Sequence, residues 1–183
     1  MPTNEKTTHF GRAGEYFAMS ELLLRGWNVA VPVVDVGDDV FVINDDDKTT
    51  WRVQVKSARA KLAASTGAAS ARFNLSRAQL RRIEDPELFF MLMVRDGARW
   101  RFLVVPRERM LEIHQRYVNT PWVGPGRRPI SSDDAKTDKL GFDVVIDAGD
   151  AYGWNTSLTE FLDAWPPELP VLGGRSVRGG KLR

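Results

Sequence analysis

Residues 40–57 read VFVINDDDKTTWRVQVKS, and this stretch decides the fold. Val40 to Asn44 is a short apolar run, Asp45-Asp46-Asp47-Lys48 is turn chemistry, and Trp51 to Ser57 alternates strictly. Strand side chains repeat every second residue, so Trp51, Val53 and Val55 share one face and Arg52, Gln54 and Lys56 the other. Two such runs about a polar turn predict a β-hairpin.

Upstream, Gly11 to Arg25 predicts a helix. Ala13, Phe17, Ala18, Met19, Leu22, Leu23 and Leu24 form a wide apolar face, and Gly26 supplies the stop. Residues 1–9 read as a loose arm. Asn28 to Val34 predicts a short strand that Pro32 confines to an edge or a bulge. Downstream, residues 58–72 are rich in Ala and Ser about a central Gly and predict a mobile loop. Ser76 is the N-cap of a short helix reaching Ile83. Leu88 to Val94 and Trp100 to Val105 flank Asp96-Gly97, a second hairpin signal. Pro106 opens a helix to about Tyr117, residues 119–140 are loop, and Phe142 to Ile146 is a strand. Ser157-x-x-Glu160 is a capping box for a last short helix that Pro166 and Pro167 end. Residues 171–183 read as a flexible basic tail. The sum is an α/β domain over residues 10–170, three layers deep, with a central mixed sheet flanked by helices.

A chain of 183 residues buries roughly 70% of its unfolded surface, so no staple is needed for a core. The absence of Cys excludes disulfides, thiolate nucleophiles and Cys-ligated zinc. No apolar run approaches the roughly 20 residues of a membrane span, and the polar N-terminus has no hydrophobic stretch of signal-peptide type. A cytoplasmic protein without a membrane partner is expected. Net charge is only +2, yet Arg52 to Arg82 holds Arg52, Lys56, Arg59, Lys61, Arg72, Arg77, Arg81 and Arg82 and no acidic residue. This points to a polyanion on one face, with Arg52, Arg59, Lys61, Arg72, Arg77 and Arg81 as contacts; the alternative is a solvated surface.

Three features carry chemistry. Glu15 shares a helical stripe with Met19 and Leu22, where a carboxylate needs a cation or a hydrogen-bond donor. Asp39 enters the first hairpin strand on the face of Phe41 and Ile43. Gln54 and Lys56 lie on one face of its partner strand. These can converge at one end of the hairpin, where carboxylate oxygens suit Mg²⁺ and a lysine neutralises a phosphodiester. Each has a plainer reading: Glu15 pairs with Arg12 or a sheet arginine, Asp39 caps a turn with Asp38, and Gln-x-Lys is common on strands. Asp45-Asp46-Asp47 lacks the Gly and downstream Glu of a calcium loop, and His9 and His114 read as ordinary histidines.

Gly11-Arg12-Ala13-Gly14-Glu15, Leu22…Gly26-Trp27-x-Val29, Gly37-x-Asp39 and Val53-Gln54-Val55-Lys56-Ser57, in that order, resemble the PD-(D/E)XK nuclease superfamily, in its restriction-endonuclease-like and Holliday-junction-resolvase-like branches. The motifs cover residues 10–57, with a weaker likeness over 73–105 and none in the last third. The resemblance implies a phosphodiester hydrolase dependent on Mg²⁺ or Mn²⁺ and acting on DNA. It implies Asp39 as a metal ligand, Glu15 as a direct or outer ligand, the Val55 carbonyl as a further ligand and Lys56 as the group that orients water and stabilises phosphoryl charge. The motif Glu or Asp falls on Gln54, which offers a neutral oxygen and no charge; some active members, an intron-encoded homing endonuclease among them, are similar in this. Cutting a duplex takes two sites, so a homodimer or higher homo-oligomer is expected. The competing classes are a weakly active or inactive nuclease-fold module that binds DNA or RNA, and an unrelated α/β interaction protein.

Overall fold

The computed structural model describes residues 4–33, 37–119 and 137–172. Helix α1 spans Asn4–Leu24 and so begins inside the stretch read as a loose arm. Its end is a Schellman motif: Trp27 N–H donates to Leu22 O (3.2 Å) and Gly26 N–H to Leu23 O (2.9 Å), with Gly26 at φ +88°. Strand β1 is Asn28–Ala30, shorter than the pattern predicts, because Pro32 cannot donate to a ladder. β2 (Val40–Ile43) and β3 (Thr50–Arg59) form the predicted hairpin, in the register Val40↔Val53 and Phe41↔Arg52.

Residues 58–72 are not a loop. β3 runs on to Arg59, β4 is Lys61–Leu62, and β5 is Ala69–Ser76. In β5 the buried side chains are Ala69, Ala71, Phe73 and Leu75, with Ser70, Arg72 and Asn74 between them. Small Ala and Ser hide that alternation from a reading by hydrophobicity. Helix α2 (Arg77–Arg81) is capped as expected, Ser76 Oγ accepting from Gln79 N–H at 3.1 Å. β6 (Leu88–Asp96) and β7 (Arg99–Pro106) turn at Gly97, and α3 is Arg107–Asn119. β8 (Lys139–Asp147), β9 (Asp150–Gly153) and β10 (Thr156–Ser157) follow.

The predicted final helix is a single 3₁₀ turn, Thr159–Phe161. Ser157 lies in β10, so Leu158 takes the cap position, with no side-chain cap bond. Trp27 Nε1 donates to Pro170 O (2.8 Å) and Leu172 N–H to Arg25 O (2.8 Å), so the docked chain extends past residue 170. The rest of the tail and most of the 119–140 loop lie outside the described residues.

The fold is α/β. A mixed sheet, ordered β1-β2-β3-β6-β7, has β3 and β6 parallel and its other pairs antiparallel. α1 covers one face through Ala18 and Leu22 on Val53, Val55, Phe89, Met91 and Met93. The other face is covered by a second five-stranded sheet, β10-β9-β8-β5-β4, and by α3, where Phe90, Leu92 and Val94 meet Phe73, Phe142, Met110 and Ile113. The sequence pattern does not separate this second sheet from the first. β6 is buried on both faces, as a central strand should be. Each such side chain contributes on the order of 1.5–3 kcal/mol. At the rim of the first sheet Leu103 of β7 bridges to Leu162, and Asp163 N–H donates to Phe102 O (2.8 Å).

The approach of α1 to β3 is set by Gly14. A Cβ there would lie 1.9 Å from Ser57 Oγ, so only glycine lets the helix cross at this height. That crossing carries Glu15 and Arg12 toward the mouth of the hairpin.

Candidate active site

Hairpin register places Asp39 across from Gln54, since Val40 pairs with Val53. Asp39 N–H still donates to Val53 O (3.1 Å), and there the ladder stops. The Asp39 carboxylate takes over as acceptor: Oδ2 receives Val55 N–H at 2.7 Å and the Gln54 side-chain amide. Within one strand residue N–H and C=O point the same way, so the Val55 carbonyl also faces the edge that β2 has vacated.

Gln54 is buried, 3% exposed, and its amide is held at both ends. Nε2 donates to Asp39, and Oε1 accepts from Gln79 Nε2 at 2.9 Å. Gln79 Nε2 also donates to the Gly37 carbonyl. A carbonyl only accepts, so Gly37 fixes the orientation of Gln79, which fixes that of Gln54. Gln79 lies on α2, with no pattern in the sequence that ties it to a residue 25 positions earlier.

Lys56 follows on the same face of β3. With Gly37, Gln54, Gln79 and Glu87 it lines a cavity of about 320 Å³ between β3 and α2. Lys56 makes no ion pair among the described residues. Ser57, the next residue, faces α1, so Glu15 and Lys56 approach the hairpin from opposite sides of the sheet. Glu15 is 17% exposed and accepts from Arg12, the plainer of its two sequence readings. The Arg12 guanidinium is held above its ordinary value by the Glu15 hydrogen bond and charge, with a smaller contribution from Asp39. Arg12 therefore feels both carboxylates.

The structure thus brings Asp39, Gln54 and Val55 into contact, sets Lys56 beside them, and puts Arg12 within the field of Glu15 and Asp39. Among the described residues no group of three His, Asp or Glu is placed to hold a metal. The remaining donor set is one carboxylate and a main-chain carbonyl, since Gln54 turns its donor to Asp39 and its Oε1 to Gln79. This fits Mg²⁺, which commonly keeps several waters and takes one or two carboxylates.

The basic residues divide. Arg52 lines the Lys56 cavity but is committed to acids: 11% exposed, it donates to both Asp38 oxygens at 2.8 Å and pairs with Glu84. Its pKa is raised first by the Asp38 hydrogen bond. Asp38 is therefore a buried structural acid and not a second turn cap. Arg59, Lys61 and Arg72 line one shallow surface by the β4–β5 edge, with Arg72 paired to Asp143 at 3.1 Å. Arg59 lies over the Phe10 ring at 4.3 Å. Arg77 and Arg81 are on α2.

His9 is exposed on α1 and outside the site. His114 is buried on α3, and its pKa is lowered from 6.5 to about 4, by burial first and then by the charges of Arg77 and Arg81. The fold favours the neutral ring. Its stabilising contribution is complete above pH 6.5 and is lost as pH falls from 6.5 toward 4. Urea melts at pH 7 and pH 4.5 should differ by on the order of 2 kcal/mol from this group, and His114→Phe should remove that part of the difference.

Among the described residues no helix is long and apolar enough to cross a membrane. No family model and no curated protein matches the chain. Among solved structures, a bacterial homing endonuclease, I-Ssp6803I, is similar at a TM-score of 0.41 and 23% identity, over 58% of this chain and 72% of that one. The likeness is a partial one of backbone trace.

Proposed function

We propose that the protein is a phosphodiester hydrolase of the PD-(D/E)XK type acting on DNA, with Asp39 and Lys56 at its centre and Gln54 in the motif's acidic position. The observation that carries this is the Asp39 carboxylate held by Val55 N–H and the Gln54 amide, with the unpaired Lys56 sharing the cavity that Gln54 lines. Asp39 and the Val55 carbonyl would hold a divalent cation, with Glu15 beyond Arg12 as an outer group, and the cation would supply Lewis-acid charge and an activated water. Lys56 stabilises the extra negative charge of the transition state, in a partly enclosed cavity where that charge is weakly screened. Val55 N–H and the Gln54 amide hold the Asp39 carboxylate in one orientation.

The test is incubation of the protein with linear, circular, single-stranded and branched DNA, and with RNA, in Mg²⁺, Mn²⁺ or EDTA. Metal-dependent cleavage supports the hydrolase; cleavage undiminished in EDTA sinks it. A second reading is a nuclease-fold module that binds DNA or RNA without cutting. It is favoured by the Gln54 amide, which presents a donor to Asp39 where the motif places a negative oxygen. Binding with no cleavage in any metal selects it.

Gln54→Glu probes the same position. A second carboxylate at hydrogen-bond distance from Asp39 replaces a donor by a like charge, so one of the two acids titrates upward. The variant in EDTA should lose on the order of 1–3 kcal/mol of stability. Mg²⁺ should restore it, with tighter metal binding by calorimetry than in the parent. A melting temperature indifferent to Mg²⁺ would leave Gln54 as an ordinary sheet residue.

A further inference from the structure

A second cavity, of about 480 Å³, opens between β8, β9 and the C-terminal half of α3. One wall is aromatic. Trp154 stacks on Tyr117 at 6.2 Å and 16°, touches His114 at 4.9 Å and Phe142 at 4.4 Å, and has the 47% exposed Tyr152 beside it. The other wall carries Arg72 and Arg77, with Asp143 paired to Arg72.

Arg77 Nε and Nη1 and His114 Nε2 are buried and have no hydrogen-bond partner. Nearly all buried donors in folded proteins are paired, so this guanidinium keeps donor capacity for a ligand that enters the cavity beside it. The acids nearby do not supply it. Asp143 is turned to Arg72 at 3.1 Å. Asp138 feels the charge of Arg77, but it accepts from Ala78 N–H at 2.7 Å and from Ser76. Burial first, and then the charges of Arg77 and Arg81, hold the His114 ring below its ordinary range.

A guanidinium fork suits phosphate oxygens, and an exposed aromatic wall suits a base. We propose that this cavity is a nucleotide subsite, with a phosphate on Arg77 and Arg72 and an unpaired base against Tyr152 and Trp154. It deepens the hydrolase reading and rests on it for the identity of the polymer. Ser76, Ala78 and Gln79 line the Lys56 cavity, whereas Arg77, between them, lines this one. A strand held at Lys56 thus crosses the first turn of α2 and drops a neighbouring, unstacked nucleotide here. The substrate class is nucleic acid that is single-stranded or locally opened.

The test titrates thymidine 5′-monophosphate, thymidine and inorganic phosphate into the whole protein in EDTA, followed by tryptophan fluorescence and the His114 ring signals. The monophosphate should bind at least tenfold tighter than either fragment and raise the His114 titration midpoint. Arg77→Met should weaken it tenfold or more, with Arg77→Lys between, and Tyr152→Ala should weaken it severalfold. For a short thymidine oligomer, Arg77→Met should also lower the slope of log affinity against log salt by roughly 0.7. Equal affinity for phosphate and nucleotide, or no response to Arg77→Met and Tyr152→Ala, overturns the subsite. Should Arg77→Met fail to fold, Arg77→Lys and the exposed Tyr152→Ala carry the test. Metal-dependent cleavage without binding here overturns the subsite alone; binding here without cleavage in any metal overturns the hydrolase alone.

Discussion

Asp39→Asn should abolish metal-dependent cleavage, with a rate loss of about a hundredfold or more, while the protein stays folded. Asparagine keeps an oxygen for Val55 N–H, so the lost quantity is charge and not the hydrogen bond at 2.7 Å. Asp39→Ala removes both and should add on the order of 1–3 kcal/mol of instability from the two abandoned donors. Lys56→Met should cost as much activity as Asp39→Asn and almost no stability, because Lys56 has no counter-ion to leave unpaired. Removing one charged group from a transition state typically costs a few kcal/mol, which sets the hundredfold scale. Single-turnover cleavage rates beside circular-dichroism melts measure both quantities. Activity within about threefold of the parent in either variant would remove these residues from the chemistry.

Arg107→Met should be strongly destabilising. Arg107 is buried and donates to both Glu87 oxygens, at 2.7 and 2.9 Å, and to Leu80 O at 3.0 Å. It thereby ties the start of α3 to the end of α2 and to the strand entry beside Lys56. Burial pushes the Glu87 carboxyl up, but the Arg107 hydrogen bonds, the Leu88 N–H and the charges of Arg107 and Arg52 outweigh it and hold it below the usual range. Losing Arg107 leaves that carboxylate partly buried and unpaired, at about 3–5 kcal/mol. At this chain length each kcal/mol moves the melting temperature by roughly 2–4 °C, so a fall of about 10 °C is expected. Replacing both partners, Arg107→Met with Glu87→Leu, should recover much of it, since an apolar pair carries no desolvated charge. A double variant as unstable as Arg107→Met would mean that Arg107 acts through packing alone.

The site was legible where a strand's period of two governs it. Asp39, Gln54 and Lys56 lie as the hairpin alternation places them, because register fixes faces once one face is buried. Glu15 was legible as an anomaly on an apolar stripe, and Arg12, three residues away, is its partner. What the sequence did not reveal depends on contacts between distant turns. Gln79 reaches Gly37 and Gln54 only after β4 and β5 have carried the chain back. Arg52 alternates outward like a surface residue, yet Asp38 and Glu84 close over it. The misread 58–72 stretch has a strand's periodicity written in alanine, which buries well but signals weakly. The final helix shrinks to one turn whose cap position falls on Leu158, whose side chain cannot accept a bond, while Ser157 one residue earlier pairs with Tyr152 in β10.

The rims of the two sheets bear on assembly. An exposed strand edge is a template for adding another chain, and here the outermost strands β1, β4 and β10 are short. β1 is three residues long and stops before Pro32, while β4 and β10 have two residues each. The long rim strand β7 has Leu162 and Asp163 bonded along it. Such a molecule is guarded against ribbon-like aggregation while it folds and waits at high concentration. By the same token, the short outer strands β1, β4 and β10 offer little ladder for joining two copies sheet to sheet. A symmetric pairing of two copies would then draw on side chains of helix or sheet faces, where a few surface substitutions suffice to make it or abolish it.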